Sequence, residues 1–280
     1  MIPLIPLYDF GGAGQLLHFA PANGFPPATY TPLLERFTAD YHVLSVLPRA
    51  FWGEKPPQQL FNWKEQLAVD LLNGLREHEL TEVIGIGHSF GAIASVLAAI
   101  EEPQRFKALI LLDPTIFTPA LGDMLKQMQE QGIADQMPLA ARAIKRQKDF
   151  EDEDEAFAYF REKRLFQDWS DDMLWAYVKY GTVVSDTGLT LAWPPEWEAY
   201  YFSTGYTGVW DDLPALHETQ IPMLILRGED SDTYLPESAE RVKQILPNAD
   251  HLEVRGGHLF PQAHPDMTCD LIADWLGAHR

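Results

Sequence analysis

Apolar, β-branched runs of five to seven residues, each closed by turn-forming residues, recur along the chain at 15–20, 42–47, 82–87, 107–113, 222–227 and 250–254. Runs that stay apolar, instead of alternating, predict strands buried on both faces. Between them, at 31–37, 63–78, 90–101, 236–246 and 265–278, apolar positions return with helical period. Strand and helix in alternation predict an α/β fold, a mostly parallel sheet with helices on both faces. Segment 2–10 is expected to add an edge strand. The alternation stops after Asp113-Pro114 and resumes near Ile221. The intervening stretch reads as helices rich in aromatics, among them Trp169, Trp175, Trp193 and Trp197, without a convincing strand. It predicts a helical cap over 118–212, inserted into a core built from 1–117 and 213–280.

With 46% hydrophobic and 22% charged residues in 280, the chain has the composition of an ordinary globular protein, not of a disordered or fibrous one. A formal charge of −20 repels phosphate backbones and anionic headgroups, so neither nucleic acid nor an acidic membrane is an expected partner. Cys269 is the only cysteine, which excludes an intrachain disulfide; in the last helical pattern it reads as an inert buried thiol. The first ten residues lack a basic start and a long apolar run, and no later stretch approaches the roughly 18 apolar residues of a membrane span. A cytoplasmic protein is the expectation. The acidic run 149–155 reads as a solvated helix face and not as a metal site.

The chemistry concentrates at three strand ends. After the apolar run at 82–86 comes Gly87-His88-Ser89-Phe90-Gly91 and then a helical pattern, so the G-x-S-x-G sequence lies between strand and helix. In that setting it is a nucleophile elbow: a sharp turn lifts the serine hydroxyl above the sheet and demands small neighbours, which Gly87 and Gly91 are. A serine hydroxyl needs a base, usually a histidine oriented by a carboxylate. Of nine histidines, His258 combines a late position, a strand-end loop and the neighbours Gly256 and Gly257. His88, beside the nucleophile, reads as structural or pocket-lining, and His18 as a packing residue. For the acid, the loop after the run at 222–227 offers Glu229, Asp230 and Asp232; Asp232 is the expected member, with Asp230 the alternative. An oxyanion needs two amide donors. That of Phe90 follows the nucleophile, and Phe25 in the loop Asn23-Gly24-Phe25-Pro26 is the expected second. Asn23, His88, Trp193 and Trp197 are candidate pocket residues.

Through Asn23-Gly24-Phe25-Pro26, Gly87-His88-Ser89-Phe90-Gly91, Leu112-Asp113-Pro114, Arg227-Gly228 with Ser231-Asp232, and Gly257-His258, the chain resembles the α/β-hydrolase superfamily across its core. The resemblance implies an eight-stranded, mostly parallel sheet, a lid inserted after the sixth strand, and hydrolysis without a cofactor. Many relatives carry histidine where this chain has Asn23. Serine in place of aspartate as nucleophile disfavours dehalogenase and epoxide hydrolase chemistry. His88 before the serine looks more like esterases, lipases and thioesterases than like carbon–carbon bond hydrolases, which often have asparagine there. The expected activity is carboxylesterase-like hydrolysis of a small, apolar acyl substrate. Thioesterase, C–C hydrolase and lactonase or perhydrolase activities are alternatives on the same residues, and a non-catalytic binding module is the reading from a different class.

Overall fold

The computed structural model describes residues 4–58 and 62–279; Ile2 and Pro3 of the expected edge strand lie outside them. The first half of the core runs β1 (Leu7–Gly11), β2 (Gln15–Ala20), α1 (Thr31–Leu34), β3 (Tyr41–Val46), α2 (Ala68–Glu77), β4 (Val83–His88), α3 (Phe90–Glu101) and β5 (Phe106–Leu112). The inserted segment follows, with α4 (Pro119–Glu130), α5 (Pro138–Ala143), β6 (Asp149–Phe150), α6 (Glu153–Arg161), α7 (Asp171–Gly181), β7 (Thr182–Ser185), β8 (Gly188–Leu191) and α8 (Pro195–Ser203). The chain then returns to the core through α9 (Val209–Glu218), β9 (Met223–Gly228), α10 (Pro236–Ile245), β10 (Asp250–Val254), α11 (Phe260–Ala263) and α12 (Pro265–Ala278).

The strands of the core form one sheet in the order β1-β3-β2-β4-β5-β9-β10, with β1 antiparallel to β3 and every other pair parallel. Every residue of β4 and β9 is buried, as expected for strands covered on both sides. Two apolar clusters lie on the two faces: one gathers α2, α3, α9 and α10 side chains, the other α1 and α12. Eight strands were expected from the resemblance and seven are present among the described residues. Seven is also the number of strand patterns the chain itself displays. No described helix is long and apolar enough to cross a membrane.

The inserted segment departs from an all-helical cap. Its β6, β8 and β7 form a small antiparallel sheet in that order. These strands escape pattern reading because β6 has two residues and the hairpin strands four each, too few for an alternation to register. Ser185 pairs with Gly188, which leaves Asp186-Thr187 as a two-residue turn. The acidic run serves a helix end: Asp152 accepts from the Glu155 amide, and Glu153, Asp154 and Glu155 occupy the first turn of α6, where carboxylates oppose the positive end of the helix dipole. Helix α9 begins inside the expected cap, yet it packs on α3 and α10 of the core because Val209, Leu213 and Leu216 face that cluster.

Candidate active site

Strand β4 sits at the centre of the sheet and ends at His88, and α3 starts at Phe90. Ser89, the single residue between them, has φ 55° and ψ −117°, a conformation a residue with a Cβ holds only under constraint. The constraint is close packing. A Cβ on Gly87 would lie 2.5 Å from the Ala92 Cα, and one on Gly91 would lie 2.1 Å from the Ala20 carbonyl oxygen. The Ser89 amide donates to the Leu112 carbonyl at 2.9 Å, fixing the turn to β5. Ser89 is 5% exposed.

His258 stands in the loop after β10, where Gly256 at φ 109° turns the chain back over the sheet. Its Nε2 is 2.8 Å from Ser89 Oγ and its Nδ1 is 2.6 Å from Asp113 Oδ2. A neutral imidazole protonated at Nδ1 satisfies both contacts: it donates to the carboxylate and accepts the serine proton. Asp113 lies one residue past β5, fully buried, at φ 42°. A buried carboxylate needs donors. Asp113 has three: the Gly228 amide at 2.9 Å on Oδ1, and the Ser231 hydroxyl at 2.5 Å and His258 on Oδ2.

The acid expected from the sequence was Asp232, with Asp230 and Glu229 as alternatives, and none of these three meets His258. All three are exposed, and among the described residues the Asp232 carboxylate accepts only from the Thr233 hydroxyl, at 3.3 Å. The reason is the shape of the loop after β9. The amides of Thr233 and Tyr234 both donate to Ser231 Oγ, while Arg227 donates from Nε to the Tyr234 carbonyl. This turn points Ser231 inward and Asp232 outward. The signal available for Asp113 was its place immediately after a buried strand and before a proline, in the Leu112-Asp113-Pro114 triplet that already stood out.

The oxyanion candidates divide in a similar way. The Phe90 amide is in the first turn of α3, where no acceptor exists within the helix. The Phe25 amide donates to the Ala22 carbonyl at 3.1 Å and closes the Asn23-Gly24 turn, so it is engaged inside its own loop. Asn23 donates from Nδ2 to the Glu198 carbonyl of α8 at 2.9 Å, and its buried Oδ1 has no partner. His18 is buried, accepts from the Val46 amide at 3.1 Å, and is pushed by burial down to about 3, which leaves it neutral.

Trp193 and Trp197 are buried in the cluster that also contains Phe90 and Trp63. Trp193 stands edge-on to Phe51 and 6.5 Å from the Phe90 ring, and Trp197 donates to the Glu54 carbonyl at 2.6 Å. On the other side, Phe25 meets Tyr177 and Trp169. The inserted segment therefore lays aromatic rings against Phe25 and Phe90, and these rings are continuous with the core clusters.

A family model described as the alpha/beta hydrolase family matches residues 16–271. The chain belongs to that family. Within it, the chain is 24% identical over 271 residues to the 2-(acetamidomethylene)succinate hydrolase of Mesorhizobium japonicum, covering 95% of this chain and 90% of that one. It is 22% identical over 239 residues to ethanol acetyltransferase 1 of Hanseniaspora uvarum, covering 81% and 69%. A solved structure of E-2-(acetamidomethylene)succinate hydrolase superposes with a TM-score of 0.74 at 22% identity, over 97% of this chain and 94% of that one. The superposition shows that this chain and that hydrolase share a fold.

Proposed function

We propose that this chain is a serine hydrolase that cleaves carboxylic esters through an acyl-enzyme, with Ser89 as nucleophile, His258 as general base and acid, and Asp113 as the third member. The observation that carries this reading is the unbroken hydrogen-bonded chain from Ser89 Oγ through both nitrogens of His258 to a fully buried carboxylate. His258 Nε2 takes the hydroxyl proton as Ser89 attacks the ester carbonyl. Asp113 holds the imidazole in the correct tautomer and stabilises the imidazolium that forms. The Phe90 amide, at the positive end of α3, faces the developing oxyanion. His258 then protonates the departing alcohol, and the same residues activate water against the acyl-serine.

The aromatic rings laid against Phe25 and Phe90 favour an apolar acyl group. Thioesterase, lactonase and C–C hydrolase activities use the same three side chains, so substrates separate them: p-nitrophenyl esters of graded chain length, set beside acyl-CoA, lactone and dienone substrates. Hydrolysis of the esters, covalent labelling of Ser89 by a fluorophosphonate, and a loss of about 10⁶-fold in kcat for Ser89→Ala would together support the proposal. A folded Ser89→Ala protein that keeps its ester turnover would overturn it.

A further inference from the structure

His88 takes no part in the proton transfers, yet it is buried against the back of the site and both of its ring nitrogens are engaged. The Ala22 amide lies 3.2 Å from the Tyr30 hydroxyl, that hydroxyl lies 2.7 Å from His88 Nδ1, and His88 Nε2 lies 2.9 Å from the His258 carbonyl oxygen. Ala22, Tyr30 and His88 are all buried, so water does not compete for these bonds. The two ends of the series fix its direction. An amide can only donate and a carbonyl can only accept. Tyr30 Oη therefore accepts a hydrogen bond from the Ala22 amide and donates one to His88 Nδ1, so that Nε2 carries the ring proton and donates to the His258 carbonyl. The opposite tautomer would set a lone pair against the carbonyl oxygen.

We propose that His88 is a positioning residue, held as the neutral Nε2–H tautomer, which together with Tyr30 ties the main chain of His258 to the loop that carries Asn23, Gly24 and Phe25. The proposal rests on His258 being the base, as argued above, and goes beyond it by assigning what sets the reach of that base to Ser89. The series joins four separate pieces of chain: the loop after β2, the turn before α1, the end of β4, and the loop after β10. It thereby links the placement of His258 to that of the loop carrying Asn23, Gly24 and Phe25. The titratable groups facing His88 and Tyr30 are the His258 ring, 5.2 Å from that of His88, and the phenol of Tyr177 near Tyr30. Burial, reinforced by the neighbouring His258 ring, holds His88 well below the ordinary histidine range and keeps it uncharged during turnover.

The test has a spectroscopic and a kinetic part. Nitrogen-15 spectra of imidazole-labelled wild-type protein should show one histidine, lost in His88→Asn, as a neutral Nε2–H tautomer that does not titrate between about pH 5 and 9. An Nδ1–H tautomer, or titration in that window, would overturn the proposal even if fluorophosphonate still labels Ser89. Failure of that labelling would instead strike the proposed function and leave the tautomer standing. In the kinetic part, glutamine places an amide nitrogen as many bonds from Cα as the histidine Nε2 and can still donate to the His258 carbonyl, whereas asparagine cannot reach it. His88→Asn should lower kcat by about 10²-fold with KM little changed, the loss expected when a base is displaced by an ångström. His88→Gln should recover most of that loss, and Tyr30→Phe should fall between them. Equal impairment by glutamine and asparagine in folded proteins, or a loss carried by KM, would show a packing role only.

Discussion

Two neighbouring strand ends each carry an acid, and only one of the two meets His258. Strands β5 and β9 pair in parallel, with Leu112 opposite Leu226. Asp113 follows β5 directly, and its amide donates to the Leu226 carbonyl at 2.8 Å, so its backbone is still part of the sheet. Asp232 lies four residues beyond Gly228, after the loop has turned to solvent. A carboxylate one residue from a buried strand is held by the sheet itself; one carried on a surface turn has to be held by other side chains. The loop after β9 does contribute to the site, though through donors: the Gly228 amide and Ser231 hydroxyl complete the shell of the Asp113 carboxylate. A loop can thus serve a buried carboxylate by supplying hydrogen-bond donors while its own acids face solvent.

The contrast can be broken most sharply at Asp113. Asp113→Asn should keep the shape but turn an amide N–H or a weaker acceptor toward His258 Nδ1, favouring the wrong tautomer; kcat should fall by about 10⁴-fold, as in the worked serine-protease case. An Asp113→Asn enzyme within about tenfold of wild type would return the acid to the other loop, since true triad members cost far more than that.

A smaller effect is expected at Ser231, which donates to the charged partner of His258 without touching the imidazole. Removing one hydrogen bond to an ionised group is worth about 1.5–3 kcal/mol, so Ser231→Ala should reduce kcat by about 10- to 100-fold if the carboxylate loses its orientation. Steady-state kinetics alongside a circular-dichroism check of folding would measure it. An unchanged kcat would mean that Gly228 and His258 alone are enough to orient Asp113.

The smallest effect belongs to Asp232. With an exposed carboxylate bound only to a neighbouring hydroxyl, Asp232→Asn should change kcat by less than about twofold and stability by within about 0.5 kcal/mol, as for ordinary surface substitutions. If Asp232→Asn cost more than Asp113→Asn in the same assay, the assignment drawn from the geometry would be reversed.

Some of the site was legible from the chain because the relevant forces act between near neighbours. A buried strand, a glycine on each side of Ser89 and an apolar helix are all encoded within twenty residues, and together they mark an elbow. His258 was legible for a related reason, since a strand followed by two glycines and a histidine leaves few other uses for the loop. The helical character of most of the inserted segment could be read from its period, whereas its three short strands could not, because two to four residues hold no measurable alternation.

What the sequence by itself determined is therefore the α/β order, the turn that carries Ser89 and the loop that carries His258. Only the tertiary structure decided which carboxylate faces that histidine, that the Phe25 amide is engaged by Ala22, and that His88 reaches the main chain of His258 through a bond spanning 170 positions. Asp113 and His258 stand 145 positions apart, and Asp113 and Ser231 stand 118 apart. Several acids at strand ends satisfy every local rule equally well. The choice among them rests on which strands lie side by side and which way a turn faces, and those depend on the packing of the whole sheet.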